Sequence, residues 1–552
     1  MSVSDQVVQG AKYMIVGEAP GAEEERAGKP FVGMAGGQLD KMLRTAGINR
    51  EECWITNVVS ERPAKNNFGV YYYDSQRNKP KPELEEAWGE LRNKVTLAGA
   101  KVVICLGGEA MKGVLGLSGI EARRGSVYKV GRSLVVPTFH PSAVLRGGVT
   151  GAWYLPASVM DFRKAVRVAG VEGFEPLNPV VKLVSSPEEI DAYLGEDCGR
   201  EVAFDIETTM QGGEGIRCIG FCAEDLKARV VPIEQLTFNT QLRFLSVFKK
   251  WMESGQVRWV AQNGQFDINM IKRLWNISLE GFYFDTMVAH HVLMPEFPHS
   301  LATLTSIYTD IPYYKDTSSS NLYRYNGLDA VSTYLVSQAE LCELSQRGLE
   351  GYYFQYAHRL FKPLREMALR GIKVDEEYQR GFKNELKKEI GALQRELDKT
   401  FEAHSGRVDY RLRLQRLSAL KEGGRKTVKL PTKEGKFVRR RVESLIKGIK
   451  ERVKKESSLN VRSKPQLEKF LYSTLKLPKQ TKMGKVTTDE TALNKLYIKT
   501  SHPFLKTITK LRQVLKEYSD YGLMKADEDG RVRTTYKFVE TGRLSSGKFE
   551  AK

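Results

Sequence analysis

The sequence predicts an α/β multidomain chain in which two successive strand–helix domains are followed by a mostly helical region. Three observations carry this. At 552 residues the chain exceeds what one hydrophobic core supports, and length alone suggests roughly three or four domains. Residues 11 to about 170 alternate apolar runs (YMIVG, CWITNVV, KVVICLG, SLVVPTF) with helical stretches such as GGQLDKMLRTAG, the rhythm of a parallel sheet. From about residue 348 the pattern turns helical and charged, as in YAHRLFKPLREMALRGIKVDEEY.

The proline-interrupted segment GFEPLNPVV ends the first domain near residue 178. A fresh strand–helix series opens with KLVSSPEEIDAYL, where Ser185 or Ser186 can cap the helix. The expected domains are therefore 1–178, 179–347 and 348–552.

Hydrophobic residues make up 41% and charged residues 28%, and no window reaches the ~18 uninterrupted apolar residues of a membrane span, so no membrane partner is expected. The N-terminus MSVSDQVVQGAKYM has no basic start, apolar run or cleavage site, which leads us to expect a cytoplasmic protein. Six cysteines, none in a CxxC pair, point to free thiols rather than to disulfides or zinc. The net charge of +19, with pI near 9.4, favours a polyanionic partner. Residues 401 to 460 hold 18 Lys/Arg against 7 Asp/Glu, more than half of that surplus.

In the second domain, the run EVAFDIETT reads as a buried strand whose period of two puts Asp205 and Glu207 on one face. VAQNGQFD then supplies Asn263, Phe266 and Asp267, and YRYNGLDA supplies Tyr325 and Asp329, four apart on one helical face. Clustered carboxylates invite a hard cation, and all four offer the oxygen ligands that magnesium or manganese prefers. The ordered set D-x-E, N-x-x-[FY]-D, Y-x-x-x-D resembles the motifs of DEDD-type 3′→5′ exonucleases, in the tyrosine-bearing subclass used by family A polymerases. FDTMVAHHVL, with Asp285 and Thr286, resembles that family's FDT segment. The resemblance, over roughly residues 180 to 345, implies a ribonuclease H-like fold and two Mg²⁺ or Mn²⁺ ions held by Asp205, Glu207, Asp267 and Asp329. It also implies that Tyr325 orients the attacking water and that Asn263 and Phe266 contact the substrate.

In the first domain, IVGEAPGAEEERAGKPFVGMAGGQLDKML, ITNVVSERP, VVICLGGEAM and FHPSAVLRG follow in an order that resembles family 4 uracil-DNA glycosylases. That resemblance places Glu18 and Glu24 in the loop for the catalytic water and matches Phe31 to the ring that stacks on a flipped base. It matches Asn57 to the uracil-reading amide and His140 to the histidine beside the uracil O2. The family usually carries four cysteines for an iron–sulfur cluster; this chain has Glu61 and Trp88 near two of those places and no cysteine before Cys53, so no cluster is expected. The family's arginine-rich loop is here AKNNFGVYYYD. Excision of uracil and retention of the fold as a DNA-binding or docking module both remain open.

Residues 348 to 552, through PLREMALRGIKVD, LNVRSKPQLEKFLY and GRVRTTYKFVETGRLSS, resemble the thumb and the start of the palm of a phage-type family A DNA polymerase. This implies that Thr541 and Arg543 lie along the template–primer duplex and that the basic block grips a duplex backbone. The palm and fingers motifs expected downstream of Lys552 are not in the sequence, so polymerisation is not expected from this chain alone. Taken together, the residues lead to a proofreading front end acting on single-stranded 3′ ends, primer–template duplex and uracil-containing DNA, in an infected bacterial cell. The other reading is a non-catalytic clamp or uracil sensor. Four clustered carboxylates, which repel one another without metal, argue for the enzyme.

Overall fold

The computed structural model describes residues 2–148, 151–196, 199–209, 215–404, 416–424, 426–431, 437–447, 459–482, 485–539 and 541–548. The chain divides into two compact units, Met1–Leu369 with Thr534–Lys552, and Arg370–Arg533.

The first unit contains two α/β layers. Strands β1 (Tyr13–Gly17), β2 (Cys53–Asn57), β3 (Val102–Leu106), β4 (Tyr128–Val130) and β5 (Ser133–Thr138) form a sheet in the order β2-β1-β3-β5-β4. All pairs are parallel except β4 with β5. β1 and β3 are buried along their whole length, which is why they read as unbroken apolar runs rather than alternating ones. Helices α2 (Met34–Ala46) and α7 (Tyr154–Gly170) cover one face through Leu39, Met42, Phe162 and Ala165. Helices α3 (Pro82–Ala98) and α4 (Gly108–Leu115) cover the other through Leu84, Leu91, Ala110 and Met111.

The second sheet, in the order β11-β10-β7-β8-β9-β6, is mixed: β7 and β8 pair antiparallel, as do β8 and β9, and the remaining pairs are parallel. Its strands are β6 (Val180–Leu183), β7 (Glu201–Thr208), β8 (Ile216–Glu224), β9 (Lys227–Val231), β10 (Arg258–Ala261) and β11 (Phe282–Asp285). The alternation along β7 separates two cores. Val202, Phe204 and Ile206 pack with Phe244 and Phe248 of α9 (Phe238–Ser254) and Ile268 of α10 (Gly264–Trp275). Burying each such large side chain contributes roughly 1.5–3 kcal/mol. Ala203 faces the opposite layer with Leu328 and Val331 of α13 (Leu322–Gln346). Asp205 and Glu207 continue that second face, so the strand carries its carboxylates towards the long helix.

Helix α13 approaches the sheet closely because glycines leave room. A Cβ on Gly220, the β8 partner of Asp205, would meet Asn326 Oδ1 at 2.8 Å, and one on Gly327 would meet Val181 Cγ1 at 2.6 Å. The helix that follows β6 is capped by Ser186, whose Oγ accepts from Glu189 N at 3.3 Å.

Both layers share one apolar cluster, in which Phe139, Trp153 and Ala157 join Phe297 and Ile311. Polar links run beside it. Arg124, 2% exposed, forms an ion pair with Asp161, which also accepts from Thr138 Oγ1 at 2.7 Å. The Arg124 guanidinium reaches Ser306 Oγ at 3.2 Å, and Lys164 donates to the carbonyls of Ser306 and of Thr309, the latter at 2.8 Å. Burial pulls the Lys164 ammonium down to about 8.

In the second unit, the helices Glu376–His404 and Pro503–Glu517 pack around Leu397, Leu467, Phe470, Leu493, Ile508 and Leu511, in line with the helical pattern of the sequence. The basic block 401 to 460 lies partly outside the described residues; inside them it forms an antiparallel hairpin of Thr427–Pro431 with Phe437–Arg441. Among the described residues no helix is long and apolar enough to cross a membrane. The described cysteines form no disulfide, four of them are buried, and Cys198 lies outside the described residues.

Candidate exonuclease and glycosylase sites

Three of the sequence-predicted carboxylates meet at one point: oxygens of Asp205, Glu207 and Asp329 lie within 4.8 Å of one another. Strand β7 supplies the first two through its two-residue period, and α13 supplies Asp329 one turn after Tyr325. Asp205 and Glu207 are half-buried and Asp329 is buried. Burial, followed by the charges of Asp329, Asp267 and Glu207, pushes the Asp205 carboxyl well above the usual carboxylate range.

Asp267 occupies the first turn of α10 and is not among the three converging side chains. Its Oδ1 accepts from the Ile206 amide at 3.2 Å, which ties the helix to the middle of β7 between the two strand carboxylates. Burial raises it to about 7 despite that hydrogen bond, with the Glu207 charge adding to the rise. Asn263 is the residue preceding α10 and takes φ 57°, a left-handed conformation that asparagine tolerates. Phe266 packs half-buried against the sheet core. Asp285, from the FDT segment, has a structural job: it accepts from the amides of Asn263 and Gly264 and from those of Met287 and Val288, so one carboxylate starts both α10 and α11 (Thr286–Leu293).

Three residues of this site escaped the sequence reading. Asn326 is fully buried and donates to Asp205 Oδ2 at 2.7 Å and to the Asp205 carbonyl at 3.1 Å. Tyr314 donates to Asp329 Oδ1 at 2.6 Å and sits 3.0 Å from Ser332 Oγ. Lys315 Nζ reaches both Asp329 oxygens, at 2.5 and 2.6 Å. Only Asn326 had a local signal, its place inside YRYNGLDA; Tyr314 and Lys315 come from a connection with no pattern of its own. The Tyr325 hydroxyl lies 3.2 Å from Lys315 Nζ, and burial with the Asp329 charge holds it protonated.

The donor set suits a hard divalent cation. Carboxylate oxygens converge from two rigid elements, without sulfur or imidazole, in a place where mutual repulsion is otherwise offset by protonation or by the Lys315 ammonium.

In the first sheet, Glu18, Glu24, Phe31, Asn57 and His140 line one cavity of about 780 Å³. The loop after β1 carries Glu18, and Asn57 ends β2, which runs parallel to β1, so both open at the carboxyl ends of neighbouring strands. Gly17 permits this approach: a Cβ there would meet Asn57 Oδ1 at 2.3 Å and Phe31 Cζ at 2.5 Å. Phe31 holds φ 53°, and its ring centroid is 5.9 Å from that of His140. A non-glycine residue at positive φ carries backbone strain, here beside the pocket.

Burial and then the Glu109 charge raise the Glu18 carboxyl. Glu24 commits both oxygens to its own loop, accepting from the Gly21 and Gly33 amides at 3.0 Å each, so it shapes the pocket rim. Burial lowers His140 to about 4, and its Nδ1 accepts from Ser142 N at 3.1 Å, leaving a neutral ring with the proton on Nε2. Glu109, which accepts from Tyr72 and Arg77 at 2.7 Å each, was not anticipated. Arg543 is exposed in the turn of the hairpin Thr534–Phe538 with Leu544–Lys548, remote in sequence from both sites.

Residues 5–163 match the uracil DNA glycosylase superfamily, residues 183–334 the 3′–5′ exonuclease family and residues 432–549 DNA polymerase family A. The chain is 36% identical to a type-4 uracil-DNA glycosylase of Thermotoga maritima over 144 residues, which cover 24% of this chain and 67% of the relative. It is 23% identical to a DNA polymerase of Bacillus phage SP01 over 97% of its own length, and it spans 62% of that relative. A solved polymerase domain of Pol1 from M. smegmatis aligns with 66% of this chain and 54% of its own, at a TM-score of 0.45 and 20% identity. Through its first domain the chain belongs to the type-4 uracil-DNA glycosylases, and it joins that domain to a 3′–5′ exonuclease domain and a family A DNA polymerase segment.

Proposed function

We propose that the chain removes nucleotides from DNA 3′ ends by metal-dependent hydrolysis, as the proofreading part of a phage-type family A polymerase. The convergence of Asp205, Glu207 and Asp329 within 4.8 Å carries this reading. Asp267 completes the ligand set from α10, at the position its motif gives it.

Two divalent cations, when bound, supply Lewis acidity that brings a water towards deprotonation near neutral pH and neutralises the leaving 3′-oxygen. The protein's own contributions are positional. Asn326 holds one Asp205 oxygen, and the Ile206 amide holds one Asp267 oxygen, so each carboxylate presents a defined face. Tyr325 keeps its hydroxyl proton and orients the attacking water through that oxygen. Asn263 and Phe266, at the start of α10, contact the terminal nucleotide, and Arg543 follows the template–primer duplex. Digestion of a 3′-labelled single-stranded oligonucleotide with Mg²⁺ or Mn²⁺, compared with excess chelator, tests the reading; degradation that persists without divalent metal contradicts it.

A second activity rests on the cavity that gathers Phe31, Asn57, Glu18 and His140. A flipped uracil stacks on Phe31, and the Asn57 amide reads its edge. Neutral His140 donates from Nε2 to the departing base, and Glu18 prepares the water. An abasic-site assay on uracil-containing single and double strands reports excision. Competition between uracil- and thymine-containing oligonucleotides reports recognition, and a negative result in both returns this domain to a docking role.

A further inference from the structure

The connection between α12 (Leu301–Tyr308) and α13 contains Tyr313, Tyr314, Lys315 and Asp316, and these four side chains divide between the two α/β layers of the first unit. Tyr314 and Lys315 turn to Asp329. Tyr313 and Asp316 turn to the glycosylase domain: the Arg123 guanidinium lies 4.5 Å from the Tyr313 ring centroid and pairs with the Asp316 carboxylate. Arg123 closes the short helix Ile120–Arg123 and precedes Arg124, whose own guanidinium is buried against Asp161. The outer half of the connection is thereby fastened to the first domain, and its inner half rests on a carboxylate of the exonuclease cluster.

We infer that this segment is a bracket through which the glycosylase domain holds the Lys315 ammonium on the exonuclease carboxylates as a resident cation, one that a divalent metal must displace from Asp329. The inference rests on the metal-dependent exonuclease reading. Lysine suits the part: its ammonium is a compact charge on a flexible four-carbon stem, able to occupy both oxygens of one carboxylate and then to swing away. Nζ engages both Asp329 oxygens within hydrogen-bond distance, so a metal approaching either oxygen competes with the ammonium's charge and hydrogen bonds. The same ammonium lies 3.2 Å from the Tyr325 hydroxyl and 4.7 Å from the Tyr325 ring centroid, so its departure also frees the tyrosine that positions water. Without metal, it offsets repulsion among carboxylates that converge within 4.8 Å. The glycosylase domain thus adjusts the exonuclease site without reaching into it.

Mn²⁺ binding by the full chain, followed by electron paramagnetic resonance of the free ion and paired with thermal melts in chelator and in saturating Mn²⁺, tests the inference. Lys315→Met is expected to bind Mn²⁺ more tightly by about tenfold, the order for losing one competing charge-assisted pair at a partly buried site. Its metal-free form is expected to melt lower than wild type, with the deficit closing when Mn²⁺ is added. Lys315→Arg, which keeps the charge, is expected to remain near wild type. Arg123→Ala and Asp316→Asn, which loosen the bracket from the outside, are expected to move both readouts in the direction of Lys315→Met by a smaller amount. Unchanged or weaker Mn²⁺ binding in a folded Lys315→Met overturns the resident cation. A Lys315→Met effect with none in Arg123→Ala or Asp316→Asn overturns the bracket. Asp205→Asn separates these from the underlying reading: wild-type Mn²⁺ binding that survives Asp205→Asn removes the metal site itself.

Discussion

The Asn326 side-chain amide donates to Asp205 Oδ2 at 2.7 Å and to the Asp205 carbonyl at 3.1 Å, so a helix residue beside Tyr325 fixes both the backbone and the carboxylate of the strand motif. This one side chain locks α13 onto β7 at the place where their acidic residues meet. Asn326→Leu removes the donor with a side chain of the same branching, and it is expected to lower exonuclease turnover roughly 10- to 100-fold, the range for an outer partner of a metal ligand. Single-turnover digestion measures it. Turnover within twofold of wild type, on the order of error, would reduce the bond to a structural tie.

Tyr325→Phe keeps the ring in the layer beside Asp329 and deletes the hydroxyl. Exonuclease rate is expected to fall by about 10²-fold or more, with Mn²⁺ binding retained, because the proposed ligands are the carboxylates and not the phenol. Loss of metal binding in this variant contradicts the water-orienting role.

The sequence made the exonuclease carboxylates legible because each sits in a periodic element. A two-residue step on β7 and a four-residue step on α13 are visible in the letters alone, and the structure keeps both faces as read. The parallel strands β1, β2, β3 and β5 were equally readable, since fully buried strands are continuous apolar runs. The antiparallel edge strand β4 was not, being three residues long and only partly buried. Lys315 and Tyr314 were hidden for a different reason: they lie in a connection whose partners are set by the docking of two sheets, a long-range fact that local spacing does not encode. Glu24, which the motif places in the loop for the catalytic water, commits its oxygens to closing that loop onto Gly21 and Gly33.

The Arg124–Asp161 pair, both almost fully buried, gives a stability test of the joint between the two sheets. Asp161→Ala leaves the guanidinium without its charge partner and is expected to cost about 3–5 kcal/mol, measured by chemical denaturation of the full chain. Replacing both, Arg124→Met with Asp161→Leu, is expected to recover much of that loss. A single variant as stable as wild type contradicts the burial argument.

His140 sets a pH dependence. Its imidazole falls from 6.5 to about 4 on burial, followed in weight by the Arg146 charge, so between those values the unfolded chain binds a proton that the folded chain refuses. Stability from this group is therefore complete above pH 6.5 and is lost as pH falls through about 4. His140→Gln is expected to flatten that acid-side decline in thermal melts, and a decline of wild-type steepness contradicts a buried neutral ring.

The surplus of Lys/Arg between residues 401 and 460 is expected to supply much of the salt-sensitive affinity for duplex DNA. Neutralising Arg439, Arg440 and Arg441 should shallow the slope of log affinity against log salt by about 0.9 for each phosphate contact removed. An unchanged slope returns the block to an ordinary solvated surface.

Digestion of a 3′-labelled single-stranded oligonucleotide by Asp205→Ala, Asp329→Ala and the double variant, with DNA binding measured in parallel, tests the central claim most directly. The account predicts that degradation is abolished in each while binding stays near wild type, because these carboxylates serve chemistry rather than affinity. Undiminished degradation by the double variant would contradict it and move the nuclease reading away from the Asp205, Glu207 and Asp329 cluster.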